Sequence, residues 1–297
     1  MAALMTSQEL LTFLDIEASG IHEDSYPIEV GWVDTEGNES SFLIKPIPEW
    51  THWDLKAQQI HAIPRSVLLD QGITIHQACL ALNKQLGAED IYSDAAVYDG
   101  EWLKTLFNAA GIKPSFTLRD IRELLDRLPT DQFATFFKIL KANPPPHRAV
   151  PDAKRMADAI NLLRKANNIV DSLSAHGIHK IHCISEPPFR PAHSLKTLLD
   201  CQAESFNTLS FGINTTELEC VKKSSRLLTD TSLEDAQLVV VFGHECLKGS
   251  ALFDYEDNHN GTIINLDITD TLPLLDLALI DDVLEQLSSR LVGLFRP

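Results

Sequence analysis

The stretch Leu10-Leu-Thr-Phe13-Leu-Asp15-Ile-Glu17-Ala-Ser-Gly20 decides how this chain is read. Leu10–Ile16 is short and mostly apolar, which predicts a buried strand. Asp15 and Glu17 stand two residues apart on it, so both carboxylates leave the same face. Like charges held side by side near a core repel, and burial raises the cost. A cation removes that cost, and hard oxygen ligands suit Mg²⁺ or Mn²⁺. Two acids at the end of a strand are also common on surfaces facing water, so this motif does not decide the matter alone.

Working outward, Ile28–Val33 and Ser41–Ile44 flank Asp34-Thr-Glu-Gly-Asn38, whose turn residues predict a hairpin. The chain therefore opens as three largely antiparallel strands. Helical spacing follows over Asp54–Ile60 and Ile75–Leu86, with a short strand at Ile91–Ser93. Trp102–Ala110 predicts a helix closed by Gly111. Further helices are expected over Leu118–Leu128, Thr130–Lys141 and Pro151–Asn167. Pro144-Pro-Pro146 breaks the last two apart, and Pro151 fits only a helix's first turn.

Two more segments carry chemistry-bearing residues. In Tyr92-Ser-Asp-Ala-Ala-Val-Tyr98-Asp99-Gly-Glu-Trp-Leu103, Asp99 is expected to open a helix, where an N-cap is the plain alternative to a ligand. In His147-Arg-Ala-Val-Pro-Asp152-Ala153, the histidine lies in the loop after the prolines and the aspartate in the next helix's first turn. A histidine beside a metal site can take a proton from an attacking water. A surface histidine and another helix-start aspartate is the plain alternative.

Taken in order, Asp-x-Glu on the first strand, Asp on a central helix and His-x4-Asp before a late helix resemble the DEDDh exonucleases. That group includes polymerase proofreading subunits and oligoribonucleases. Phe13–Gly20 is similar to the group's first motif, with Ala18 and Ser19 where two threonines are usual. Tyr98-Asp99 with Leu103 resembles the second, and His147–Ala153 the third. Ala57-Gln-Gln-Ile60-His61-Ala-Ile63 resembles a further stretch of many members, with Ala62 for a glycine. Asp94 stands where the second motif usually carries an asparagine. The resemblance covers about residues 8–170. It implies an RNase H-like fold, with a mixed sheet, antiparallel first strands and flanking helices. It also implies a metal-dependent 3′→5′ exonuclease releasing nucleoside 5′-monophosphates. Asp15, Glu17, Asp99 and Asp152 are then the ligands of two Mg²⁺ or Mn²⁺ ions, and His147 completes the catalytic set. Two such ions clamp a scissile phosphate at a spacing of about 3.5–4 Å. Glu23, Asp24 and Glu101 are read as solvated charges.

The chain has 297 residues, 44% of them apolar and 23% charged, as in an ordinary globular protein. Its length predicts two domains, 1–172 and 173–297. The second is α/β in character and of unknown type, with strands at Ile178–Ser185, Gln237–Phe242 and Thr262–Ile268. Helices are expected there at Ser194–Ala203, near Thr216–Leu228 and over Leu274–Phe295. Gly243-His244-Glu245-Cys246 follows one strand's C-terminal end, where open sheets bind ligands. His176, His179, His182 and His193 lack the partners of a zinc finger. Cys79, Cys183, Cys201, Cys220 and Cys246 are scattered and read as free core thiols of a reducing cytoplasm.

The net charge is −17. Residues 1–170 hold 16 Lys and Arg against 23 Asp and Glu, and residues 171–297 hold 9 against 19. Such an excess argues against a broad basic surface gripping long DNA. Short or 3′-terminal single-stranded DNA or RNA is the expected partner. Arg119, Arg122, Arg127, Lys138, Lys141, Arg148, Lys154 and Arg155 are the cations that could gather beside the site. No membrane span or signal peptide is expected. A protein partner or self-association falls to residues 173–297. The rival reading is a non-catalytic nucleic-acid- or protein-binding module on an exonuclease scaffold, with ligand or partner binding in the C-terminal half.

Overall fold

A computed structural model describes residues 9–178, 180–185, 190–202, 207–212, 238–242, 262–266 and 275–295. Contacts group these into two units, one of residues 9–128 and 144–161, the other of 129–143 and the remainder from 162.

The first unit is built on a five-stranded mixed sheet in the order β3-β2-β1-β4-β5. β1 (Thr12–Ala18), β2 (Pro27–Asp34) and β3 (Glu39–Leu43) are antiparallel, as the hairpin chemistry predicts. β4 (Asp90–Ser93) runs parallel to β1, and β5 (Thr117–Asp120) parallel to β4. This is the mixed sheet with antiparallel first strands and flanking helices that the sequence predicts. Leu14 and Ile16 of β1 join Ile28, Val30, Leu82, Leu106 and Phe107 in the core. Asp15 and Glu17 alternate with them onto the other face.

The helices are α1 (Leu55–His61), α2 (Arg65–Gln71), α3 (Ile75–Leu86), α4 (Ala96–Ala110) and α5 (Ile121–Leu125). Asp54 caps α1 by accepting from Lys56 N–H, and a Thr74–Gln77 capping box starts α3. Cys79 is buried in this core as a free thiol.

Two expectations are corrected. The helix expected over Leu118–Leu128 is β5 followed by the short α5, because Arg119 and Asp120 pair with Tyr92 and Ser93 and extend the sheet. α4 begins six residues before Trp102, so Asp99 lies in its first turn rather than at its cap; the cap position is Ala95. α2 was not predicted.

α6 (Thr130–Ala142) belongs to the second unit. α7 (Ala149–Ala175) supplies residues 149–161 to the first unit and the rest to the second. The second unit holds a wholly parallel four-stranded sheet, β7-β6-β8-β9. These strands are β6 (Lys180–Ser185), β7 (Asn207–Gly212), β8 (Leu238–Phe242) and β9 (Thr262–Leu266). Among the described residues it also holds helices α8 (Arg190–Asp200) and α9 (Leu277–Leu294). β7 was not predicted. The helix expected near Thr216–Leu228 and the Gly243–Cys246 segment lie outside the described residues, as does His179. His176 stacks on Phe295 with ring centroids 3.6 Å apart. Among the described residues no helix is long and apolar enough to cross a membrane.

Candidate active site

The site forms at the C-terminal ends of the adjacent parallel strands β1 and β4. In the β1–β2 register, Asp15 lies opposite Gly31 and Glu17 opposite Glu29, so all four residues share one face. The start of α7 packs on that face. A Cβ added to Gly31 would lie 2.6 Å from the backbone nitrogen of Val150 and 2.8 Å from the carbonyl carbon of Ala149. Only a residue without a side chain lets the helix that carries Asp152 come this close.

Arg148 and the N–H of Ala149 hold the same helix end through Glu29. Arg148 donates two hydrogen bonds to the Glu29 carboxylate at 2.9 and 2.6 Å, and Ala149 N–H donates a third at 3.1 Å. Glu29 is buried, so this anchor compensates a charge that would otherwise be costly on the sheet. The sequence reading missed Glu29. Its signal was an acid in the middle of an otherwise apolar strand, directly across from Glu17.

His147 ends the loop in the left-handed region, at φ 58°. A non-glycine residue rarely adopts this conformation, and here it turns the chain immediately before α7. Glu17, His147 and Asp152 each offer a ligand atom within 4.8 Å of the others, with His147 exposed and Asp152 buried. Asp99 reaches the cluster from the first turn of α4. Its Oδ2 accepts from the Ser93 hydroxyl, which in turn accepts from Ala95 N–H at 2.9 Å. Ser93 was also missed; it is fully buried at the end of β4.

The carboxyl groups behave as a crowded, poorly solvated set. Burial pushes Asp15 well above the usual carboxylate range, and Asp99, Glu17, Asp152 and Asp94 push it further by repulsion. Burial and the charges of Asp152 and Glu29 raise Glu17 to about 7, against a lowering pull from Arg148. Asp99 is raised to about 8 by burial, although the Ser93 hydrogen bond opposes the shift. Asp152 and Asp94 are raised by burial too, with Arg155 opposing both. Oδ1 of Asp99 and Oδ1 of Asp152 are buried with no hydrogen-bond partner among the described residues. Orphaned, desolvated carboxylate oxygens in a ring of like charge are what a site for hard divalent cations requires. Among the described residues, Glu17, His147 and Asp152 form the group at this site that could hold a cation, and Asp15 and Asp99 add their charges beside it without joining that group.

Other acids stay apart. Glu23 and Asp24 are exposed, and Glu101 is exposed and paired with Lys104 at 3.1 Å. Of the cations that could gather beside the site, Arg148 acts on Glu17 and Arg155 lies 4.0 Å from Asp152, and several others are paired with acids. Arg119 pairs with Asp90 at 2.7 Å, Arg122 with Asp120 at 3.1 Å and Lys154 with Asp158 at 2.6 Å. Arg155 pairs with Asp94 at 3.3 Å, and Arg127 approaches Glu9 at 4.0 Å. Lys138 and Lys141 belong to the second unit.

No family model and no curated protein matches the chain. Among solved structures, E. coli Exonuclease I in a zinc-bound complex with single-stranded DNA is similar at 16% identity and a TM-score of 0.43. The match covers 58% of this chain and 44% of that one. The same enzyme with a dA16 oligonucleotide gives 14% and 0.40, over 56% and 45%. A moderately thermophilic Exonuclease I from Methylocaldum szegediense gives 13% and 0.39, over 55% and 45%. The chain thus spans less than half the length of these proteins. At such identities and scores the likeness adds nothing to what the topology and the acidic cluster carry by themselves.

Proposed function

We propose that this chain is a metal-dependent 3′→5′ exonuclease acting on single-stranded or short oligonucleotides, with Asp15, Glu17, Asp99, Asp152 and His147 as its catalytic set. The observation that carries this reading is the convergence of the four acids from three separate segments, with Asp99 Oδ1 buried and without a hydrogen-bond partner among the described residues. A cluster that raises its own members' pKa values is a costly arrangement unless it serves a cation.

Asp15, Glu17, Asp99 and Asp152 would hold two Mg²⁺ or Mn²⁺ ions, which supply Lewis-acid polarisation of the phosphoryl oxygen and charge for the leaving 3′ oxygen. The protein's own part is positional. Ser93 fixes the Asp99 carboxylate by its hydrogen bond. Glu29 and Gly31 fix the start of α7 and hence Asp152. His147, at the exposed rim with a ligand atom within 4.8 Å of those of Glu17 and Asp152, would accept the proton of an attacking water and pass it to solvent. The ions these carboxylates would hold would supply the positive charge that binds a phosphodiester; a free 3′ end as substrate and a nucleoside 5′-monophosphate as product are what the resemblance to the DEDDh exonucleases implies.

The test is product identity. A 5′-labelled single-stranded oligonucleotide incubated with the protein and Mn²⁺ is expected to shorten one nucleotide at a time from the 3′ end, releasing 5′-monophosphates. Internal cuts, or products bearing 3′-phosphates, would contradict the proposal.

A further inference from the structure

Asp94 lies in the turn between β4 and α4, five residues ahead of Asp99. It is not a spare surface charge. Its side chain is 28% exposed, and Arg155, 11% exposed, donates from Nη2 to its Oδ2 at 3.3 Å. Arg155 Nε is also 4.0 Å from Oδ1 of Asp152, one helical turn back along α7. A single guanidinium therefore lies between a carboxylate on the β4–α4 turn and a carboxylate on α7. Other charges near Asp94 balance locally, since Arg122 and Asp120 pair with each other at 3.1 Å.

The charge count gives the arrangement its meaning. Asp15, Glu17, Asp99 and Asp152 carry four negative charges when ionised, which two divalent cations would cancel. Asp94 adds a fifth negative charge and Arg155 supplies a positive one. A guanidinium is suited to this place because it stays charged when buried and reaches two acids with one planar group.

We propose that Arg155 is a positioning residue of the acidic site. It cancels the charge of Asp94, ties the β4–α4 turn to α7, and thereby sets the cation affinity of the cluster through Asp152. This rests on the metal-site reading above.

The two partners differ in the sign of their effects. Asp94→Asn removes one negative charge beside Arg155 and Asp152, and is expected to weaken Mn²⁺ binding roughly tenfold. Arg155→Met leaves Asp94 and Asp152 without the cation they share. It is expected to lower the melting temperature in EDTA and to tighten Mn²⁺ binding severalfold. The pair Asp94→Asn with Arg155→Met is expected to return affinity to within about threefold of wild type. Arg155→Lys keeps the charge but not the planar group, so it should hold Mn²⁺ affinity near wild type while lowering the melting temperature in EDTA. Calorimetric Mn²⁺ titration and thermal melts of the full chain read all four. Should Arg155→Met fail to fold, rescue of folding by Asp94→Asn supports the proposal and failure of that rescue overturns it. Single variants that both weaken Mn²⁺ binding and simply add in the double would show a role in folding alone and overturn it. A wild-type protein that binds no Mn²⁺ overturns both the proposal and the metal-site reading. Binding abolished by Asp15→Asn but indifferent to Asp94 and Arg155 overturns the proposal alone.

Discussion

The backbone nitrogen of Val150 sits where the side chain of residue 31 would be: a Cβ on Gly31 would lie 2.6 Å from it. Residue 31 lies opposite Asp15 in the sheet, and Val150 is two residues before Asp152. The distance between two of the proposed ligands is thus set by the absence of a side chain on β2. Gly31→Ala is expected to push the start of α7 off the sheet, at a cost of about 1–3 kcal/mol for overpacking. It should also weaken Mn²⁺ binding. Chemical denaturation and calorimetry check both effects, and a variant as stable as wild type with intact Mn²⁺ binding would show that the contact is soft.

Glu29 anchors the same helix end from the sheet. Glu29→Gln keeps the shape but loses the charge that Arg148 and Ala149 N–H bind. A loss of about 1–3 kcal/mol is expected, the usual worth of hydrogen bonds to a charged group. Removing the Glu29 charge also removes one cause of the raised Glu17 pKa, so Glu17 should titrate below about 7 in the variant. NMR titration of the Glu17 carboxyl carbon reads this directly, and an unmoved Glu17 would contradict the cross-strand account.

The acid cluster predicts how stability varies with pH in EDTA. Glu17 is raised from 4.5 to about 7 and Asp99 from 3.8 to about 8 in the folded protein. The folded state therefore holds protons that the unfolded chain releases. Their stabilising contribution is complete below about pH 4 and is lost as pH rises through about 7 to 8. Asp99→Asn removes one of these groups, so its melting temperature in EDTA should exceed that of wild type at pH 8 and converge on it near pH 4. Saturating Mn²⁺ at pH 8 should raise wild type far more than the variant. A wild type that is no less stable than Asp99→Asn at pH 8 in EDTA would contradict the crowding argument.

Much of this was legible in the sequence, and the gaps have physical causes. β1 and its hairpin could be read because alternation and turn chemistry are local signals. Asp15 and Glu17 share a face for the same reason. β5 was taken as part of a helix because Thr117–Asp120 is only four residues long and gains its strand character from pairing with β4. Asp99 was placed at a cap because α4 starts with Ala96-Val-Tyr98, where Ala95 offers no capping side chain to mark the true start. Glu29 and Arg155 act through partners far away in the chain, at positions 148 and 94, so no single segment reveals them. Ser93 is only six residues from Asp99, and its role depends on the turn that brings its hydroxyl to that carboxylate.

The surface charge predicts a small footprint. Arg119, Arg122, Arg148, Lys154 and Arg155 are each engaged with an acid, so few cations are available to track a phosphate backbone. Each phosphate neutralised steepens the dependence of binding on salt. Cleavage rates should level off at short oligonucleotide lengths and fall only gently between low and moderate salt. Rates that keep rising over many tens of nucleotides, with a steep salt dependence, would reveal an extended basic groove. Running the series with ribo- and deoxyribo-oligonucleotides in parallel measures which sugar the site accepts.

The most direct test of the central claim is a 5′-labelled single-stranded oligonucleotide degraded by wild type and by Asp15→Asn, each with Mn²⁺ and with EDTA. The acidic cluster predicts stepwise shortening only for wild type with Mn²⁺, and a loss of at least about a hundredfold for Asp15→Asn or EDTA. Degradation that survives EDTA, or that Asp15→Asn leaves unchanged, would contradict it. An inert wild type that still binds Mn²⁺ through Asp15 would favour the non-catalytic binding module instead.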